Sequence, residues 1–246
     1  MNGEAAPLHA ILGNVTEVMA RIGVAARKAG RDPGDVTLVA VTKTFPTDVA
    51  AEAVRCGLGH LGENRVQDLL AKRDELSAMG LEPQWHMIGT LQRNKVRYLA
   101  GKGILVHSVD SEALLAEISR RSLQVGTVQE ILLQVNLSGE DTKHGFTPDI
   151  RPDDLLPLFR VPGLAILGLM TIAAPSPDPA DAIPTFARLR DLRDETAGRL
   201  RTTDPAAADR FRFLSMGMSH DLEPAIQCGA THVRIGTALF GPRPVP

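Results

Sequence analysis

The stretch Thr37-Leu38-Val39-Ala40-Val41-Thr42-Lys43-Thr44-Phe45-Pro46 runs apolar from Leu38 to Val41, then closes on a lysine and a Thr-Phe-Pro stop. Apolar residues without polar alternation suit a strand buried on both faces, as in a parallel sheet. Seven further short runs follow it, at residues 60–62, 84–89, 104–109, 130–136, 165–172, 211–216 and 232–236. With residues 37–42 they make eight predicted strands. Helical segments are predicted between them at 48–56, 67–78, 92–100, 111–122, 153–159, 182–196 and 221–225. Strand and helix alternating eight times is the pattern of a (β/α)8 TIM barrel, an α/β fold. An open doubly wound sheet usually carries a glycine-rich first turn, and Val-Thr-Lys-Thr-Phe-Pro stands there instead.

Ahead of the first strand, residues 8–30 place Leu8, Ile11, Leu12, Val15, Val18, Met19 and Ile22 on one helical stripe ended by Gly30, an extra N-terminal helix. The chain has 246 residues, close to the usual length of one such barrel, and no linker divides it, so residues 1–246 read as a single domain. Two proline-bearing stretches read as loops. Residues 173–181 lie on the face where barrel active sites sit, and 202–209 on the opposite side.

Composition removes several function classes. A net charge of −2 supplies no basic stripe for a nucleic-acid backbone. Cys56 and Cys228 stand far apart without a Cys-x-x-Cys, which argues against a disulfide framework or zinc site and for a reducing compartment. With no run of 18 apolar residues and no signal-peptide pattern, the expectation is a soluble, cytoplasmic protein without a membrane partner. No His-Glu-x-x-His or clustered Cys/His motif calls for a metal.

Three groups of residues can carry chemistry. Lys43 ends a buried strand, where desolvation favours the neutral amine and makes it a better nucleophile toward an aldehyde. A lysine snorkelling to the barrel rim fits the same position. The segments after strands 7 and 8, Leu214-Ser215-Met216-Gly217-Met218-Ser219 and Val233-Arg234-Ile235-Gly236-Thr237, combine hydroxyls, close-approach glycines and a helix start near Asp221. Barrels commonly bind phosphate there, although ordinary turn chemistry uses the same residue types. Arg234, inside the last strand, needs neutralisation by an acidic rim residue such as Glu63, or a polar ligand such as a cofactor's pyridine nitrogen. The polar residues that close strands 2 and 3, Asn64 among them, can line a pocket mouth or equally fill barrel layers by hydrogen-bonding to one another. His86, and likewise His107 on strand 4, are read as satisfied core histidines.

Taken together these residues resemble the pyridoxal phosphate homeostasis proteins, the YggS/PROSC family. The resemblance rests on Val39-Ala40-Val41-Thr42-Lys43, Gly62-Glu63-Asn64-Arg65, Trp85-His86-Met87-Ile88-Gly89 with Gln92-Arg93-Asn94-Lys95, and Val135-Asn136 with Lys143-His144-Gly145. It continues through Gly168-Leu169-Met170-Thr171 and the two C-terminal segments, to Gly241. Thr90, Arg93 and the loop near Ala173 fall where that pattern varies.

The resemblance implies the barrel of alanine racemase, pyridoxal 5′-phosphate fold type III, without that enzyme's second domain. It implies the cofactor as a Schiff base on Lys43, Arg234 at the pyridine nitrogen and Asn64 near the ring. Ser219, Gly236 and Thr237 would hold the phosphate, with Ser215 beside them, and Lys143 would be a rim lysine for cofactor handling. The implied role is to bind, buffer and deliver pyridoxal phosphate as a monomer, without established turnover. Candidate recipients are apoenzymes that use it.

Two other functions compete. An amino-acid racemase of this fold needs a second base, typically a tyrosine, and the one tyrosine, Tyr98, lies in the third predicted helix while the chain ends at Pro246. A Schiff-base aldolase or another phosphate-binding barrel accounts less well for Lys43 and Arg234 facing each other from strands 1 and 8.

Overall fold

The computed structural model describes residues 8–137 and 144–242. Eight parallel strands pair in chain order and close into a barrel: β1 Thr37–Val41, β2 His60–Glu63, β3 Gln84–Met87, β4 Leu105–Val109, β5 Gln129–Gln134, β6 Leu164–Met170, β7 Phe213–Ser215 and β8 His232–Ile235. The closing register sets Val39 opposite Arg234 and Ala40 opposite Ile235.

The apolar runs have two destinations because strand side chains alternate between faces. Leu38, Ala40, Leu61, Met87, Ile131, Leu169 and Val233 point outward into the layer shared with the helices. Each fully buried leucine or isoleucine there contributes about 1.5–3 kcal/mol. Leu105, Leu132, Leu167 and Met170 form a separate cluster inside the barrel. Apart from Val39, the rest of the buried interior is largely polar: His86, His107, Ser215, His232 and Arg234 are all buried.

Around the barrel lie α1 Leu8–Lys28, α2 Thr47–Arg55, α3 Val66–Ala78, α4 Glu112–Gln124, α5 Pro152–Leu155, α6 Ile183–Thr203, α7 Pro205–Arg210, α8 Leu222–Gln227 and α9 Thr237–Phe240. The extra helix α1 buries Ile11, Val15, Val18 and Ile22, while Leu12 and Met19 of the expected stripe are exposed. The buried set advances by four, three and four residues. One narrow face is covered, and Leu12 and Met19 are turned about 100° off it.

Three expectations change. Residues 202–209 are not a loop: α6 runs to Thr203, and Asp204 accepts from the Ala207 N–H to cap α7, with Pro205 in its first turn. An Asp-Pro pair is an N-cap followed by a first helical residue as readily as a turn. The expected helix over 92–100 is a 3-10 helix, Arg93–Tyr98. That over 153–159 divides into α5 and a 3-10 helix, Leu156–Arg160, where Pro157 lacks an N–H to continue the α ladder.

Candidate functional site

At the carboxyl ends of the strands a cavity of about 310 Å3 opens, within the range of ligand pockets. Six of the expected residues line it together: Lys43, Asn64, Ser219, Arg234, Gly236 and Thr237. Val41, Phe45, Ile88 and Ile172 give it apolar walls. Ser215 is not among the lining residues. It lies beneath, fully buried, where its hydroxyl meets Arg234. Lys143 lies outside the described residues.

Lys43 is half-buried and held by its neighbours in sequence. The Thr42 hydroxyl donates to Glu63 Oε1 at 2.7 Å, and the Lys72 ammonium donates both to the Thr42 carbonyl, at 2.7 Å, and to Glu63 Oε1, at 2.5 Å. Glu63 and Lys72 thus form a buried ion pair that grips the main chain one residue before Lys43. Glu63 Oε2 is buried with no hydrogen-bond partner among the described residues. On the other side of Lys43, Thr44 has φ 70°, a left-handed backbone uncommon for a β-branched residue. The chain therefore turns sharply away and leaves Lys43 at the cavity.

Asn64 is placed by a close backbone approach. A Cβ on Gly89 would lie 2.5 Å from the Asn64 carbonyl oxygen, so β3 passes β2 only because residue 89 has no side chain.

Arg234 does not pair with Glu63, whose Oε1 already serves Thr42 and Lys72. Its Nη1 donates to Ser215 Oγ at 2.6 Å and its Nη2 to the Thr171 carbonyl at 3.0 Å. Neutral oxygens, rather than a carboxylate, hold this guanidinium. Burial pushes its pKa down to about 10, partly opposed by Asp221.

The loop after β7 is tied from three directions. Gly217 has φ 92°, and its carbonyl accepts from the Arg234 N–H. The Asp221 carboxylate accepts from the Met218 N–H, and Ser219 Oγ accepts from the Ala238 N–H at 3.2 Å. From α1, Arg21 donates to the Ser219 carbonyl at 3.1 Å while paired with Glu223 at 2.7 Å. The extra helix thus reaches the site, a role that its apolar stripe does not announce.

His86 and His107 are satisfied core histidines, as their apolar strands suggest: His86 Nδ1 lies 2.8 Å from His107 Nε2, and His107 Nδ1 lies 2.8 Å from Ser215 Oγ. Burial holds both well below the usual histidine pKa. Tyr98 is on the outside of the barrel, under the Arg97 guanidinium, and does not line the cavity.

A closed parallel barrel with a lysine after β1 and a buried arginine on β8 defines the class to which this chain conforms. The family model for the N-terminal domain of alanine racemase matches residues 14–244. Within that class, the chain belongs to the pyridoxal phosphate homeostasis protein family. A member from Aquifex aeolicus is 44% identical over 233 residues, 93% of this chain and 96% of the relative. Among solved structures, an unknown protein from Bifidobacterium adolescentis superposes with a TM-score of 0.85 at 35% identity, covering 95% of each chain. PipY of Synechococcus elongatus PCC7942, solved with PLP bound, superposes with a TM-score of 0.75 at 33% identity. That match covers 94% of this chain and all (100%) of PipY.

Proposed function

We propose that this chain, acting as one barrel domain, binds pyridoxal 5′-phosphate in the upper cavity and serves its homeostasis as a carrier rather than as a turnover enzyme. The observation that carries the reading is the donor set. A lysine, an arginine and a hydroxyl-and-glycine end share one cavity with apolar walls. Those groups match an aldehyde, a ring nitrogen and a phosphate on a flat apolar ring.

When bound, pyridoxal phosphate supplies an aldehyde that joins an amine reversibly, and Lys43 is the amine positioned to hold it as a Schiff base. Arg234 would face the ring nitrogen with N–H donors and keep its own proton, which would leave the ring a weak electron sink. Ser219 with the backbone of Gly236 and Thr237 would hold the phosphate, Asn64 would flank the ring, and Ser215 would act by holding Arg234. The tyrosine of the racemase reading has no counterpart in the cavity. We further read the protein as a cytoplasmic monomer that passes its cofactor to apoenzymes. No helix among the described residues is long and apolar enough to cross a membrane.

The test is direct. The purified protein mixed with pyridoxal phosphate turns yellow, and borohydride fixes the cofactor covalently. Lys43→Ala abolishes the fixed adduct. A protein that stays colourless overturns the reading. Exchange of amino-acid Cα protons for deuterium at ordinary enzyme rates, roughly 1–10³ s⁻¹, overturns the carrier role alone.

A further inference from the structure

The opposite mouth of the barrel, at the amino ends of the strands, holds a larger cavity of about 610 Å3. Among the described residues none lines both cavities. Three arginines line the lower one: Arg31 from the turn after α1, Arg193 from α6 and Arg212 just before β7. Against them stand the carboxylates of Asp35 and Glu130 in the lining, with a third carboxylate, Asp194, just behind Arg193. Asp194 takes one edge of Arg193, at 2.6 Å. Among the described residues neither Arg31 nor Arg212 has an ion pair; Arg31 donates to the Ile226 carbonyl at 3.0 Å. Arg31 is half-buried, and its pKa is lowered by that burial and by the Arg193 charge, while Asp35 opposes the shift.

The floor of this cavity is polar, and its proton arrangement is set from the other end of the barrel. Arginine can only donate, so Ser215 Oγ accepts from Arg234 and directs its own proton to His107 Nδ1, 2.8 Å away. Neutral His107 then carries its proton on Nε2 and donates to His86 Nδ1, at 2.8 Å. His86 in turn donates from Nε2 to His60 Nδ1, at 3.0 Å. That leaves the proton of His60 on Nε2, on the far side of its ring from His86. His60 is half-buried and lines the cavity, as does His232.

We propose that this amino-terminal mouth is a second binding site, for a small anion bearing a carboxylate or phosphate group. Arg31, Arg193 and Arg212 supply charge, and the His60 N–H supplies a directed donor. Asp35, Glu130 and Asp194 balance the three arginines in number, so a singly or doubly charged molecule suits the site better than a polyanion. Leu105 and Phe213 add an apolar wall for the body of such a molecule.

The test uses the full chain given one equivalent of pyridoxal phosphate, with unbound cofactor removed, and follows the His60 ring nitrogens by NMR. Inorganic phosphate is titrated in one arm and acetate in the other. A saturable shift in either arm, weakened at least tenfold by Arg212→Gln, supports the site. Phosphate alone identifies a phosphoryl ligand, and both together identify a general oxyanion site. Arg212 is exposed, so this variant keeps the fold and still turns yellow with pyridoxal phosphate. If neither anion shifts His60, the proposal fails. It fails equally if Ser219→Ala at the upper mouth, rather than Arg212→Gln, removes the response. Because the signal comes from His60, a failure of cofactor binding above would leave this result readable.

Discussion

Lys72 Nζ lies 2.7 Å from the main-chain carbonyl of Thr42, so a helix on the outside of the barrel holds the strand end that presents Lys43. The Lys72 side chain is 8% exposed and that of its partner Glu63 is fully buried. Lys72→Ala should therefore cost about 3–5 kcal/mol, since it strands a buried carboxylate. The loss is measured as a lower urea midpoint. Exchanging both residues together, Lys72→Met with Glu63→Met, should recover much of it. A single variant as stable as the parent would show that the clamp carries no weight.

Stability should fall in acid because of the histidines. Burial lowers the pKa of His86 and His107 well below 6.5 and that of His232 to about 4, each kept neutral in the fold. The unfolded chain binds those protons from about pH 6.5 downward, so it holds more protons than the native state. Their contribution is complete above that pH. It is lost as pH falls toward 4, at up to about 1.4 kcal/mol per pH unit for each histidine. Urea midpoints across this window should slope less steeply in His107→Asn than in the parent.

The barrel was legible in the sequence because its strands are buried on both faces and so lack alternation. Lys43 drew attention as a polar end to an apolar strand, whereas Asn64, Ser219, Gly236 and Thr237 were singled out chiefly by the family resemblance; with Arg234 all six line one cavity. The partners of Arg234 were not legible. Its guanidinium meets the Ser215 hydroxyl and the Thr171 carbonyl, from two other strand ends that only the three-dimensional barrel brings together. Lys72 did leave a signal: it stands with Leu69 and Leu76 on the buried face of α3, a place where a lysine needs a partner. Residues 202–209 misled because Pro and Asp serve turns and helix starts alike.

Ser215→Ala should separate support of the site from direct contact. The change leaves Arg234 Nη1 and His107 Nδ1 without their shared partner and costs about 1–3 kcal/mol. The yellow form should still appear with pyridoxal phosphate, at weaker affinity and with a shifted absorption maximum. An unchanged spectrum and affinity would mean that Arg234 needs no support from below.

Gly89→Ala should perturb the site through the backbone alone. Its new Cβ would meet the Asn64 carbonyl oxygen at 2.5 Å, with no flexible side chain to yield. A loss of about 1–3 kcal/mol is expected. Cofactor affinity should weaken with it, read by titration with pyridoxal phosphate.

The left-handed backbone of Thr44 has a consequence for how the protein could be improved. A threonine held there carries local strain on the order of 1–2 kcal/mol, which glycine would relieve. Thr44→Gly should thus make the protein harder to melt. It would also let the segment beside Lys43 sample other shapes, so residence of the ligand should shorten. At this one position, ruggedness and retention pull in opposite directions, and the sequence has kept the residue that favours retention.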